Sequence, residues 1–165
     1  MASNVPVTRQ IAWVSLIPQL FAMGLIIFIF YMLKFEDPLL FGTWSYLIMF
    51  LILRKLVAKD HRQGMKLVKQ EKFIEAIPLF EKSIAYFTKN SWVDKYRYLT
   101  ILSASKMTYK EMGLCNIAFC YSQTNNGQKA KEYYELTLTE FPKNGLAKAG
   151  LNMINSIGQT RQTET

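Results

Sequence analysis

The stretch IAWVSLIPQLFAMGLIIFIFYML at residues 11–33, then KFED at 34–37 and PLLFGTWSYLIMFLIL at 38–53, decides how the rest of the chain is read. Ile11 to Leu33 is 23 residues without a charge. As a helix it is about 35 Å long, against a hydrocarbon core of about 30 Å. Pro18 and Gln19 interrupt it, as a membrane helix tolerates. Its length, the lack of a small-residue cleavage pattern and the second apolar segment directly after it all argue against a removed leader. Pro38 to Leu53 holds 16 uncharged residues, about 24 Å as a helix. It reaches across a bilayer over 38–56 if Arg54 and Lys55 turn their charged ends to the interface. A buried or re-entrant helix is the alternative for this shorter segment. Trp13, Trp44 and Tyr46 stand near the ends of the two segments, where interfacial aromatics gather.

A link of four residues, Lys34 to Asp37, forces the two segments antiparallel, so both ends emerge on one side. Lysine and arginine near the membrane set that side. The link offers Lys34, whereas the flanks offer Arg9, Arg54, Lys55, Lys59 and Arg62. The expectation is therefore a cytoplasmic N-terminus at 1–10, transmembrane helices at 11–33 and 38–56, an external loop at 34–37, and everything after 57 in the cytoplasm, at a cell membrane of bacterial kind. Residues 1–53 carry Arg9 and Lys34 against Glu36 and Asp37, so the whole net charge of +8 belongs to residues 54–165. A basic domain beside a bilayer suits an anionic inner leaflet or an acidic partner.

From Lys59 onward the apolar spacing is helical. With no Gly or Pro cluster near 56–62, the second apolar helix is expected to run directly into the next through Leu56, Val57, Met65, Leu67 and Val68. Phe73, Ala76, Ile77, Phe80 and Ile84 make one apolar face, with Pro78 early in that helix. Gln128 to Leu138 repeats the type and is closed by Phe141-Pro142-Lys143-Asn144. A last helix carries Leu146, Ala147, Leu151, Met153 and Ile154, and residues 158–165 read as a polar, disordered tail.

Over roughly 60–157 the chain resembles the tetratricopeptide repeat family, whose units pair two antiparallel helices in about 34 residues. One unit is carried by Gly64, Leu67, Ala76, Phe80 and Ser83. The other is carried by Leu114, Ile117, Ala118, Tyr121, Ala130, Tyr134, Thr137 and Pro142. The first departs from the pattern, with Gln63 for a large apolar residue and Thr88 for proline. The resemblance implies an all-α repeat domain over 57–157. Gly64 and Ala118 would stand where the two helices of a unit cross, and Ala76 and Ala130 where the second helix returns. The units are out of step by an insertion near 90–110. There, capping boxes at Ser91 with Asp94 and at Thr108 with Glu111 suggest an extra helix over about 92–104, with a strand as the alternative.

Nothing in the chain has the pattern of a catalyst. Its single histidine, His61, lies between Asp60 and Arg62 and reads as a solvated surface residue; no phosphate loop or nucleophile elbow is present. Cys115 and Cys120 are five apart on a helix and point to different faces, as two reduced, buried thiols. No cofactor, metal or nucleic acid is expected. Repeats of this family bind a partner segment on the surface lined by the first helix of each unit. Of the basic clamp that holds chaperone tails in some members, only Asn116 has a counterpart; His61 and Met65 stand where the clamp has lysine or asparagine. The expected partners are the lipid bilayer and a protein, with an acidic segment favoured by the charge. Lys66, Lys69, Asn116 and Tyr121 are the candidate contacts, and Gly64, Ala76, Phe80, Ala118, Ala130, Tyr134 and Pro142 the packing positions. The function implied is a membrane-anchored interaction or scaffold module. A membrane assembly subunit whose main contacts are intramembrane is the alternative.

Overall fold

The structure, a computed structural model, describes residues 13–163, and of Val14, Arg54 and residues 157–163 the backbone alone. The expected N-terminal segment 1–10 with Arg9, the first two residues of the 11–33 stretch, and residues 164–165 lie outside the described residues. The chain is all-helical, with no strand among the described residues. A short 3-10 turn at Trp13–Ser15 leads into α1 (Leu16–Met32), followed by α2 (Pro38–Val57), α3 (Lys59–Lys69), α4 (Phe73–Lys89), α5 (Ser91–Lys95), α6 (Arg97–Thr100), α7 (Tyr109–Gln123), α8 (Gly127–Glu140) and α9 (Gly145–Thr163). These form two units. Of the described residues, one takes in those up to Lys59 together with Asn90–Thr108; the other takes in Asp60–Lys89 and those from Tyr109 onward.

In the first unit α1 and α2 pack as an antiparallel hairpin. Ile27 lies against Gly42, and Phe30 stacks on Phe41, so position rises along one helix as it falls along the other. A Cβ on Gly42 would come within 2.6 Å of the Ile27 side chain and 2.8 Å of its Cα, so only glycine permits this approach. The turn is tight because α1 ends in a Schellman closure. Phe35 N–H donates to the Phe30 carbonyl (3.3 Å) and Lys34 N–H to that of Tyr31 (3.0 Å), with Lys34 left-handed at φ 55°. Phe30, Phe35 and Phe41 fill the bend, and Pro38 starts α2 at a position that needs no N–H donor.

The insertion belongs to this unit. The single helix expected over 92–104 is broken into α5 and α6, and the chain is irregular from Ile101. The physical reason is Arg97. Its Nη1 donates to the Asp94 carbonyl (3.2 Å), Nε to that of Ser105 (3.0 Å) and Nη2 to that of Lys106 (2.6 Å), which folds the following segment back on the helix. Leu102 makes the bend at φ 51°. Thr100 Oγ1 donates to the Val93 carbonyl at 2.7 Å and closes the other side. The α5 cap position falls on Asn90 rather than on Ser91 of the expected capping box. α6 packs against α1.

In the second unit α4 and α7, α7 and α8, and α8 and α9 are successive neighbours. Ala76, Phe80, Ile117, Ala118, Ala130 and Ala147 are fully buried. Alanine dominates because two helix backbones close together leave room for a methyl group and little more. Glu71 at φ 60° and Asn125 at φ 57° end α3 and α7 with the same type of closure as Lys34. The uninterrupted passage expected from α2 into α3 is not made. α2 ends at Val57 and Ala58 leaves helical geometry at φ −102° and ψ 28° before α3 starts. α9 continues through Thr163, beyond the point where polar composition suggested a disordered tail.

Candidate docking surface

The amphipathic α3 presents Lys66 and Lys69 to the outside, both in its last turn. There a cation also complements the carbonyl end of the helix. Met65, one residue earlier on the helix, is half-buried and lies against α7, where Asn116 Nδ2 is 3.3 Å from its Sδ. The amide of Asn116 is thus part of the α3–α7 contact. Tyr121 lies on another side of α7, since five residues turn a helix by about 140° beyond a full revolution. Its ring lies 5.6 Å from that of Tyr133 on α8, with Lys129 Nζ 5.2 Å over it. The four candidate contacts therefore form no single cluster. Lys66 and Lys69 share one face, Asn116 adjoins it through Met65, and Tyr121 belongs to the α7–α8 side.

The packing positions come together inside the unit. A Cβ on Gly64 would lie 2.8 Å from Phe80 Cε1, so α3 and α4 touch across a glycine and a ring. Ala76, Ala118 and Ala130 are fully buried and Tyr134 nearly so, whereas Pro142 is exposed just past the end of α8. Tyr134 in turn meets Gly150 of α9, where an added Cβ would collide with its ring.

His61 is not the solvated residue its charged neighbours suggested. It is 6 % exposed, edge-on to Phe80 (5.4 Å between ring centres) and to Tyr109 (5.2 Å), and Tyr109 stacks on Phe87 at 4.8 Å. Its Nδ1 is buried with no hydrogen-bond partner, and burial pushes the imidazole pKa down to about 4. His61 is therefore a neutral core residue that presents nothing to a partner. The signal was in the spacing: 61, 64, 65 and 68 form one stripe on α3, and Gly64 and Val68 are buried beside it.

Sequence reasoning also missed Asn144. Its Nδ2 donates to Glu111 Oε1 at 2.8 Å and lies 3.4 Å from Cys115 Sγ, while its Oδ1 accepts from the Ala147 amide at 2.8 Å. One amide caps α9 and holds it to α7. An asparagine three residues ahead of the first buried alanine of a helix is the pattern that marks it. Cys115 and Cys120 are free and buried, and loss of solvent raises their thiol pKa values to about 11 and about 12. No group of three or more His, Cys, Asp or Glu side chains that could hold a metal ion occurs among the described residues. Comparison with known proteins returns no match to a family model, a curated protein or a solved structure.

Proposed function

We propose that the chain is a membrane-anchored interaction module, in which the α1–α2 hairpin spans a bilayer twice and the second unit, a short tetratricopeptide-type repeat domain, docks a protein at the cytoplasmic face. One observation carries the reading. No residue of the helical part of α1 is buried, and Ile17, Phe21, Phe28, Leu39, Trp44, Ile48 and Ile52 stand exposed around the hairpin. A core helix of a water-soluble protein hides such side chains. Here each one exposed to water would forfeit about 1.5–3 kcal/mol of transfer free energy, and a lipid environment recovers it. Gly42 at the α1–α2 crossing is the kind of small residue on which helices pack in lipid.

Orientation follows from the lysines and arginines flanking the hairpin. The repeat reading is supported by the packing of α7 on α8, by the close approach of Gly64 on α3 to Phe80 on α4, and by the full burial of Ala76, Ala118 and Ala130. Docking is assigned to the α3 face that carries Lys66 and Lys69, where exposed cations steer an acidic segment.

Two measurements on the full chain in native membranes test this. A cysteine at Glu36 is expected to react with a membrane-impermeant maleimide from outside, and one at Lys129 only after permeabilisation; the reverse pattern overturns the orientation. The native thiols give little background because both are buried and weakly acidic. Photo-crosslinkers at Lys66 and Lys69 are expected to trap a protein that the paired K66E and K69E substitutions release. An unchanged crosslink removes this face from the docking surface.

A further inference from the structure

The insertion faces two ways. Val93, Arg97, Ile101 and Leu102 point inward and are buried, and the three carbonyls held by Arg97 make the segment a folded platform. Trp92, Tyr96 and Leu99 point outward, 61 %, 53 % and 48 % exposed. They stand in α5, at the break between α5 and α6, and in α6, four and then three residues apart. The exposed charges of this platform are cationic: Lys95, with its Nζ 5.5 Å over the Tyr96 ring, and Lys106. The acid of the segment, Asp94, is buried. Although 90–108 interrupts the second unit in sequence, it packs with the hairpin, through α6 on α1.

We propose that Trp92, Tyr96 and Leu99 form an interfacial anchor that lies in the headgroup layer of the bilayer spanned by the hairpin, with Lys95 and Lys106 on anionic lipid phosphates. The inference rests on the membrane reading above. A tryptophan, a tyrosine and a leucine flanked by lysines have the amphiphilic make-up that settles where hydrocarbon meets headgroups. Their place in the same compact unit as the apolar hairpin, with α6 packed on α1, selects lipid over protein as the occupant. The anchor adds a third attachment to the bilayer, beyond the two spans themselves.

The test uses the full chain reconstituted in protein-free vesicles of phosphatidylcholine and phosphatidylglycerol. Two single-tryptophan variants are compared: one keeps Trp92 (W13F, W44F), the other keeps Trp44 (W13F, W92F). Phosphatidylcholine brominated near the head or near the tail of its acyl chain reports depth. Trp92 emission is expected to fall about twofold with the shallow label, less with the deep one, and to be shielded from aqueous iodide. A Trp92 that bromine leaves untouched and iodide quenches freely, while Trp44 is quenched by bromine, overturns the anchor and leaves the hairpin in the membrane. A Trp92 quenched more by the deep label also overturns the interfacial placement. A Trp44 beyond reach of both labels overturns the membrane reading itself.

Discussion

Gly64→Ala sets two physical effects against each other, and the structure fixes which prevails. In the middle of α3, exchanging glycine for alanine gains about 1 kcal/mol of helix propensity. The added methyl, however, would lie 2.8, 2.9 and 3.1 Å from Cε1, Cζ and Cδ1 of Phe80. That ring is fully buried and flanked by His61, so it has nowhere to turn. Overpacking of this kind costs about 1–3 kcal/mol. The balance is a net loss of about 1 kcal/mol, about fivefold faster exchange of the amides protected by opening of this unit. Hydrogen exchange on the full-length protein in detergent, read over residues 60–89, measures it without interference from the hairpin. Gly127→Ala, at the first residue of α8 with nothing within 4 Å of the new methyl, is the control and is expected to leave exchange unchanged or slower. Phe80→Leu shortens the obstructing side chain. Combined with Gly64→Ala, it should lose less than the two single losses together. Slower exchange in Gly64→Ala alone would refute the close α3–α4 contact, since propensity would then be the only effect at work.

Three further outcomes are expected. The folded state holds His61 neutral down to about pH 4, whereas in the unfolded chain it takes up a proton near 6.5. The unfolded state binds the extra proton between those values, so stability is lost as pH falls through that window, by up to about 3 kcal/mol. His61→Phe should remove that part of the acid sensitivity in urea unfolding, and an identical pH profile for the two proteins would contradict the burial. Asn144→Ala deletes the α9 cap and the bond to Glu111; a loss of about 1–3 kcal/mol is expected in thermal unfolding, centred on α8 and α9 by hydrogen exchange. Arg97→Lys keeps the charge but cannot reach three carbonyls with a planar fork. Cleavage by trypsin after Lys106 should accelerate on the order of tenfold, while the rest of the chain is cut at its former rate; an unchanged rate would mean that Arg97 does not hold the segment.

Much of this molecule is local in origin. α4 carries the apolar face of Phe73 to Ile84 and α8 ends just ahead of Pro142, because helix formation depends on neighbours within one or two turns. The α1–α2 hairpin is legible for the same reason: four residues cannot carry the chain anywhere but back. Where the reading went astray, the deciding contact is distant or unusual. His61 was assigned to solvent from Asp60 and Arg62 beside it, while its environment comes from Phe80 and Tyr109. The capping boxes at Ser91 and Thr108 suggest one helix over 92–104, but bonds from Arg97 to carbonyls eight and nine residues on break it. Ala58 shows the converse: no proline or glycine announces the break there.

Composition and periodicity by themselves determined that the chain is helical, that its apolar residues gather in an N-terminal pair of segments, and that its positive charge lies beyond them. These are properties of runs and periods, and backbone hydrogen bonding turns them directly into helices. Tertiary structure alone decided that Asn90–Thr108 joins the hairpin rather than the helices it interrupts, that Asn116 meets Met65 of α3 while Tyr121 meets Tyr133 of α8, and that Asn144 binds α9 to α7. Each of these depends on which surfaces meet in space, and a helix carries the same sequence signal whatever lies against it.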